Sequence, residues 1–334
     1  MENPNRDLFP AADMRARFAS IGPLLTNEPV DSAFLRHEDK SVAAKRLYHR
    51  LGLASVVLIS GSAVYTIAET LLFHGLASPY LSLAMALAAM LGISSQVFML
   101  AAKLRSKWLV NRFACERLRS MKFQAFALAA GARTEAELAE AVAAFTRVEL
   151  TRLENELNVG IAIFENFVPE RIIPDNTPPQ VPGDPVIIRE ATTAFRELRI
   201  QYQDRFALRE LHRLRENRRF FHSAADFIYF AGACLVLLSL LAKIIPGMAA
   251  ISAWVDFLAI SAFVASLSKL VLDSASLTDP SAARFVRYRE DIARVVDSID
   301  KGASLDQYVP AMERIALGEL EQFCDASKSI NYRL

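Results

Sequence analysis

Signatures of chemistry are what this chain has least of. Its three cysteines, Cys115, Cys234 and Cys324, form no CxxC pair, and none of the five histidines stands beside them at metal-ligand spacing. That argues against a disulfide framework and a zinc site, and reads as three unpaired thiols in a reducing compartment. There is no glycine-rich phosphate loop, no GxSxG, no HExxH and no clustered carboxylate motif, so neither an enzyme, a cofactor nor a metal is expected. His37, His49, His74, His212 and His222 fall mostly near the ends of apolar runs, where an amphipathic ring with a polar tip is the ordinary occupant. The first 50 residues contain no apolar core of a signal peptide, so insertion is expected to rely on the first membrane helix itself. Thirty-eight Lys and Arg stand against 37 Asp and Glu, so the net charge of +1 identifies no partner, and the distribution of charge has to do so instead.

That distribution is blockwise. Hydrophobic residues make up 53% of the chain and charged residues 22%, yet the apolar runs carry almost none of the charge. Segregation of this kind is expected when part of a chain sits in lipid and part in water. The runs at about 51–73 and 80–102 are each 23 residues long and are separated by a short loop at His74–Pro79. At ~1.5 Å rise per residue each can cross a ~30 Å hydrocarbon layer. Two more runs lie at about 225–245 and 249–271, with a turn at Pro246–Met248. Residues 103–122 hold seven Lys or Arg against one Glu, and the positive-inside rule places that side, with both termini, in the cytoplasm. Trp108 is expected just beyond the membrane edge. The prediction is an all-α integral membrane protein with four transmembrane helices, arranged as two tandem parallel-repeat hairpins with long cytoplasmic helical extensions.

The repeat is read from spaced markers. Asp31-Ser-Ala-Phe-Leu-Arg aligns with Asp204-Arg-Phe-Ala-Leu-Arg, and Lys45-Arg-Leu-Tyr-His with Arg218-Arg-Phe-Phe-His, both at an offset of 173. Arg112-Phe113 returns as Arg284-Phe285 and Gly131-Ala132 as Gly302-Ala303, at offsets of 172 and 171. The organisation follows: a flexible, proline-containing leader over 1–30, a first repeat over 31–160, a proline-rich linker over 161–186, and a second repeat over 187–334. Asp31 is the expected N-cap of the first lead helix. Thr134 with Glu137 forms a capping box. Leu305, Val309, Met312, Ala316, Leu320 and Phe323 form an interhelical seam at the C-terminal end.

Functional candidates lie on one face of the first span. Ser55, Ser62, Thr66 and Glu69 share it, reading as a wet pathway with Glu69 near the outer mouth, or as small hydroxyl residues that let helices pack and bond their own backbone. Glu69 tips the balance, because a carboxylate in lipid is costly and faces protein or water. Gln96, in a polar notch with Ser94 and Ser95, and Asp256, at a similar depth to Glu69, complete the pore-lining candidates; a pair between Asp256 and Lys243 is the structural alternative. Arg46, Arg105, Arg112, Arg218 and Arg219 are candidate anchors to anionic lipid or a ligand site for a nucleotide, or else plain topology determinants. The lead helices mix Asp and Glu among their Arg, with few aromatics, so nucleic acid is not a partner.

With the unit laid out, each half resembles the SLATT family of two-transmembrane effector domains: an Arg-rich lead helix (Phe34-Leu-Arg-His, then Lys45-Arg46), a tight hairpin, a basic helix carrying Trp108, Arg112 and Glu116, and a capped final helix. The resemblance covers about residues 31–158 and 200–328. It implies a bacterial inner-membrane effector of conflict or anti-phage systems that oligomerises into a pore. It also implies a trigger delivered by a cytosolic nucleotide signal or a separately encoded sensor protein, since no sensor domain is seen in the chain. The second half departs from the first, with Ile228, Leu235 and Ala242 where Ser55, Ser62 and Glu69 stand, and only Ser239 keeping a hydroxyl. The expected function is therefore a homo-oligomeric pore-forming effector in the lipid bilayer, the alternatives being a non-conducting scaffold that recruits a cytosolic partner, or a small-solute channel or transporter.

Overall fold

A computed structural model describes residues 5–73, 78–160, 173, 181–244, 249–276 and 278–328, without the side chains of 214–229, 239–244, 249–250, 273–276, 278–282, 324 and 326–328. The expected loop residues 74–77, most of the linker, the 246–248 turn, and the side chains of Arg218, Arg219, Asp226, Ser239, Lys243 and Cys324 lie outside that description.

Every regular element among the described residues is helical. In chain order these are α1 (Ala12–Arg17), a 3₁₀ turn (Ala19–Ile21), α2 (Gly22–Leu25), α3 (Glu28–Ala68) running into a π-helical turn (Glu69–Phe73), α4 (Pro79–Ala101) and α5 (Leu104–Gln124). A 3₁₀ segment (Ala125–Ala130), α6 (Glu135–Asn158), α7 (Pro185–Phe195), a π-helical segment (Arg196–Ile200), α8 (Gln201–Ile244), α9 (Ala249–Ser276), α10 (Thr278–Asp300) and α11 (Leu305–Lys328) follow. Three helical stretches are long and apolar enough to cross a membrane: the one ending at Phe73, α4, and Ile251–Leu272 of α9. They mark a membrane protein. The fourth expected span falls on α8, where the described part includes Phe230, Val236, Leu237 and Leu238, all exposed.

Local chemistry sets the helix ends. α7 starts where Asp184 Oδ1 accepts from the backbone N–H groups of Val186 (2.6 Å) and Ile187 (3.4 Å) with Pro185 in the first turn, which satisfies donors that a helix start leaves open. α6 opens on the expected cap, Thr134 Oγ1 accepting from Glu137 N at 3.1 Å. Glu137 in turn accepts from Arg133 N, one residue earlier than in a standard capping box. α10 closes on Gly302, whose φ of +91° lets Gly302 N and Ala303 N reach back to the Ile299 and Ser298 carbonyls. Two expectations are corrected here. α3 begins at Glu28, and its capping side chain is Asn27, which accepts from Val30 N and donates to Thr146 Oγ1 at 2.8 Å; Asp31 is drawn off into an ion pair with Lys122. The 1–30 segment is not a loose leader over its described part, because Leu8, Phe18, Ile21, Leu24, Leu25 and Val30 are buried. Its prolines obscured the short helices that bury them.

The chain divides into two compact units, each drawing on both halves of the sequence. The apolar unit comprises 44–105, 214–279 and 327–334. The polar unit comprises 1–43, 106–213 and 280–326. Its core holds Phe113, Leu118, Met121 and Phe123 of α5. Phe123, Phe126, Phe195 and Tyr308 make ring contacts of 5.6–6.0 Å that tie α5, its 3₁₀ extension, α7 and α11 together. Each such pair contributes about 0.5–1.5 kcal/mol beyond simple area burial. Trp108 belongs to this core as well: it is buried, edge-on to Phe323 at 6.4 Å, where the sequence suggested an interfacial ring.

Candidate functional site

In the apolar unit, the polar face of α3 is turned onto α4. Ser55 and Ser62 are buried. Ser55 Oγ donates to Gly52 O (3.0 Å) and accepts from Gln96 Nε2 (3.4 Å). Ser62 Oγ lies 2.8 Å from both Leu58 O and Met85 O. A Cβ at Gly92 would come within 2.8 Å of the Ile59 side chain and 3.2 Å of Ser55 O, so α3 and α4 touch where α4 has no side chain. This is small-residue packing with interhelical hydrogen bonding, and it uses up the hydroxyls of Ser55 and Ser62.

The outer part of the same face differs. Thr66 is exposed, its hydroxyl bonded back to Ser62 O. Glu69 is half-buried and opens the π-helical turn, where Ser82 Oγ donates to its Oε1 at 2.8 Å with Tyr65 OH 3.2 Å from the same Ser82 oxygen. α9 packs against this turn, and Ser268 Oγ is 2.6 Å from Ser60 Oγ. Were α9 parallel to α3, the residues level with Glu69 would lie past its end at Ser276, so the two helices run antiparallel. That register puts Asp256, half-buried, within about one turn of the level of Glu69. Lys269, which the sequence reading passed over, is also half-buried on α9; a charge inside the hydropathy window was its signal.

The basic character of α5 is resolved differently from the expectation. Arg117, Arg119 and Lys122 are buried in the polar unit, each facing carboxylates. Arg117 meets Glu156 (3.2 Å) and Glu149 (3.6 Å). Lys122 Nζ reaches Asp31 and the Leu8 carbonyl, each at 2.6 Å. Arg119 takes Glu116 with 2.9 and 3.0 Å hydrogen bonds, Asn5 at 2.7 Å, and lies 3.2 Å from Asp7. Glu116 also holds Arg112 at 2.5 Å. Burial works to raise the Glu116 pKa, but the Arg112, Arg119 and Arg199 guanidiniums outweigh it and bring the carboxyl down to about 2. For Asp7 the balance is reversed: burial outweighs Arg119 and pushes the carboxyl up.

Arg199, on the π-helical segment, is buried as well, paired through both Nε and Nη2 with Glu313 of α11 at 2.7 and 2.8 Å and stacked over Phe123 at 4.8 Å. Neither side chain exceeds 2% exposure. Sequence reasoning missed this pair; Glu313 follows Val309 by four residues and so falls on the apolar seam of α11, which was the available signal. A cavity of about 120 Å³ lies beside it, lined among others by Glu38, Arg112, Glu116, Arg119, Arg199 and Glu319. Its volume matches about four water molecules, and its mixed lining makes it a solvated part of the ion network.

Of the other basic candidates, Arg46 is exposed, Arg105 half-buried, and Arg112 committed to Glu116. Cys115 is buried and its thiol pKa raised by burial, so it is a core residue and a poor nucleophile. Among the described residues no group of His, Cys, Asp and Glu is placed to hold a metal ion. Comparison of the chain with protein-family models, characterised proteins and solved structures finds no match.

Proposed function

We propose that the chain is a homo-oligomeric, cation-conducting membrane effector that opens on a cytoplasmic signal, made of two tandem SLATT-like hairpin units in a bacterial inner membrane with both termini cytoplasmic. The observation that carries the reading is the common level of Glu69 and Asp256 in the apolar unit. A carboxylate inside a span is costly and marks water, a partner charge or an ion path. Two of them at one depth in each chain become an acidic ring when copies assemble, and such rings favour cations. Two spans per repeat are too few to enclose an aqueous lumen, so assembly is part of the proposal.

The tandem origin is supported by burial that recurs at the offsets read from sequence. Leu138, Val142, Thr146 and Glu149 of α6 are buried, and so are Val309, Glu313, Leu317 and Leu320 of α11, 171 residues later. Phe34 and Ala207 match, as do Phe113 and Phe285. Asp31 pairs with Lys122 of α5 and Asp204 with Arg289 of α10.

The test is membrane potential in cells expressing the chain, followed by ion flux in liposomes. The wild type is expected to depolarise cells, and Glu69→Gln with Asp256→Asn to remove the preference for cations over anions. A potential that stays intact under every inducing condition sinks the proposal. A second reading, a non-conducting scaffold, draws on the closure of Ser55, Ser62 and Gln96 within the hairpin. It predicts capture of a cytosolic partner that depends on residues 304–324 and is indifferent to Glu69.

A further inference from the structure

The cations at the edge of the first hairpin are unlike those of α5. Arg112, Arg117, Arg119 and Lys122 each hold a carboxylate. Arg46, Arg50 and Lys103 are exposed, and none of them pairs with a carboxylate among the described residues. Residues 43–68 and 79–115 contain no Asp or Glu. The hydrogen bonds joining Ser55 with Gln96 and Ser62 with Met85 fix the register of α3 against α4. Continued to the end of α4, that register puts Lys103 within about one turn of the level of Arg46. Lys103 has a φ of +50°, a conformation usually left to glycine or asparagine, so a cation stands where those residues are the common occupants. Arg46, Arg50, Leu53 and Val57 follow at spacings of 4, 3 and 4 and share one face of α3. All four are exposed, Leu53 by 51% and Val57 by 60%. Along its length this face changes from two cations to two aliphatic side chains. Arg50 to Val57 covers about 10 Å, within the ~15 Å depth of one hydrocarbon leaflet.

We infer that this end of the hairpin holds an anionic phospholipid, with its phosphate at Arg46, Arg50 and Lys103 and an acyl chain along Leu53 and Val57. Guanidinium and ammonium groups suit a phosphodiester, and cations at a membrane edge attract anionic headgroups. A soluble anion would account for the cations but not for the aliphatic half of the face. The inference rests on the placement of α3 and α4 across a bilayer and requires no conduction through them.

Native mass spectrometry of the detergent-solubilised full chain tests it, with equal amounts of dioleoyl phosphatidylglycerol and dioleoyl phosphatidylcholine as competing probes. The anionic lipid is expected to be retained over the zwitterionic one by about fivefold or more. Arg46→Gln, Arg50→Gln and Lys103→Gln together are expected to remove that preference. Arg133→Gln, Arg147→Gln and Arg189→Gln, an equal loss of charge at exposed positions of the polar unit, are expected to keep it. Lys103→Gly removes one cation and suits the positive φ, so it is expected to lower the preference in a chain that still folds, which circular dichroism checks. Equal retention of the two lipids overturns the inference. So does a preference that the first triple variant keeps, or one that the second loses as well. Glycerol 1-phosphate displacing the lipid at equal concentration would overturn the part given to Leu53 and Val57. Preferential retention without depolarisation of cells would leave the site standing and remove the pore.

Discussion

Two consecutive helices of nearly equal length are inside out with respect to one another. In α4 the exposed residues are the apolar ones: Leu81, Leu83, Leu87, Met90, Leu91, Ile93, Val97, Phe98 and Leu100 are each about half or more accessible. In α5, three residues on, the buried set includes Arg117, Arg119, Ser120, Lys122 and Gln124. The difference follows from what surrounds each unit. A hydrocarbon solvent gives no reward for hiding leucine, so helices there are joined through small residues and hydrogen bonds, such as Gly92, Ser62 and Gln96. Water rewards hiding Phe113, Leu118 and Met121, and the cations sharing their helix are carried inside with them. Each buried cation then needs a carboxylate, because an unpaired charge in that setting costs several kcal/mol.

The largest expected effect breaks the inside of the polar unit. Arg199→Ala strands Glu313 at the core, and Glu313→Ala strands Arg199. Each is expected to destabilise that unit by about 3–5 kcal/mol, whereas Arg199→Met with Glu313→Leu recovers most of the loss. Labelling of Cys115, a buried thiol in α5, along a denaturant series reads the unit directly. A single-variant cost below about 1 kcal/mol would mean that the pair is hydrated and that the polar unit is not inside out in the sense described.

The sequence shows the apolar unit plainly and the polar unit poorly, for a physical reason. A membrane span is marked by what it excludes, and 23 residues with one charge (Glu69) at 51–73 or none at 80–102 can be read directly. The ends of helices were legible where the chemistry is local, as at Thr134 with Glu137. Long-range pairing of charges has no local mark. Seven cations in 103–122 look like an interfacial anchor until Asp7, Asp31, Glu149 and Glu156, Asp7 being 112 residues from its partner Arg119, are folded around Arg117, Arg119 and Lys122. The polar stripe was legible as a face of α3, but not the split along it, in which Ser55 and Ser62 close on α4 while Thr66 stays exposed and Glu69 is half-buried against Ser82. That split depends on Gly92 and Ser82 of the opposing helix.

A middle-sized effect tests the apolar unit on its own terms. Gly92→Ala places a methyl 2.8 Å from Ile59 and 3.2 Å from the Ser55 carbonyl. Separating α3 from α4 is expected to cost about 1–3 kcal/mol and to weaken the bond from Gln96 to Ser55. Gly61→Ala is the control, since nothing lies within 4 Å of a Cβ there, and replacing a helical glycine in open space is neutral or stabilising by up to about 1 kcal/mol. Resistance of the folded hairpin to SDS separates the two. Equal effects would show that close approach of the helices does not hold the hairpin, and the contrast with the hydrophobic core of the polar unit would weaken.

The smallest effect sharpens the contrast through pH. His37 on α3 is half-buried and its Nδ1 lies 2.9 Å from Asn111 Oδ1 of α5. Asn111 Nδ2 donates to the Lys107 carbonyl at 2.7 Å, which fixes Oδ1 as the acceptor and Nδ1–H as the donor. Burial, only partly offset by that hydrogen bond and reinforced by Lys40 and Arg36, lowers the imidazole pKa below 6.5. Between the lowered folded value and 6.5 the unfolded chain binds a proton that the folded chain resists. Stability of the polar unit is therefore complete above pH 6.5 and falls as the pH drops through that window. His37→Gln keeps a donor toward Asn111 and does not titrate, so it is expected to flatten this part of the profile, read again by Cys115 labelling. The acidic limb at lower pH should persist in the variant, since Glu116, held at about 2, keeps its contribution until the pH falls from about 4.5 toward that value. Loss of both limbs together in His37→Gln would mean that the α3–α5 contact and the Glu116 cluster unfold as one body, with no separate role for the imidazole.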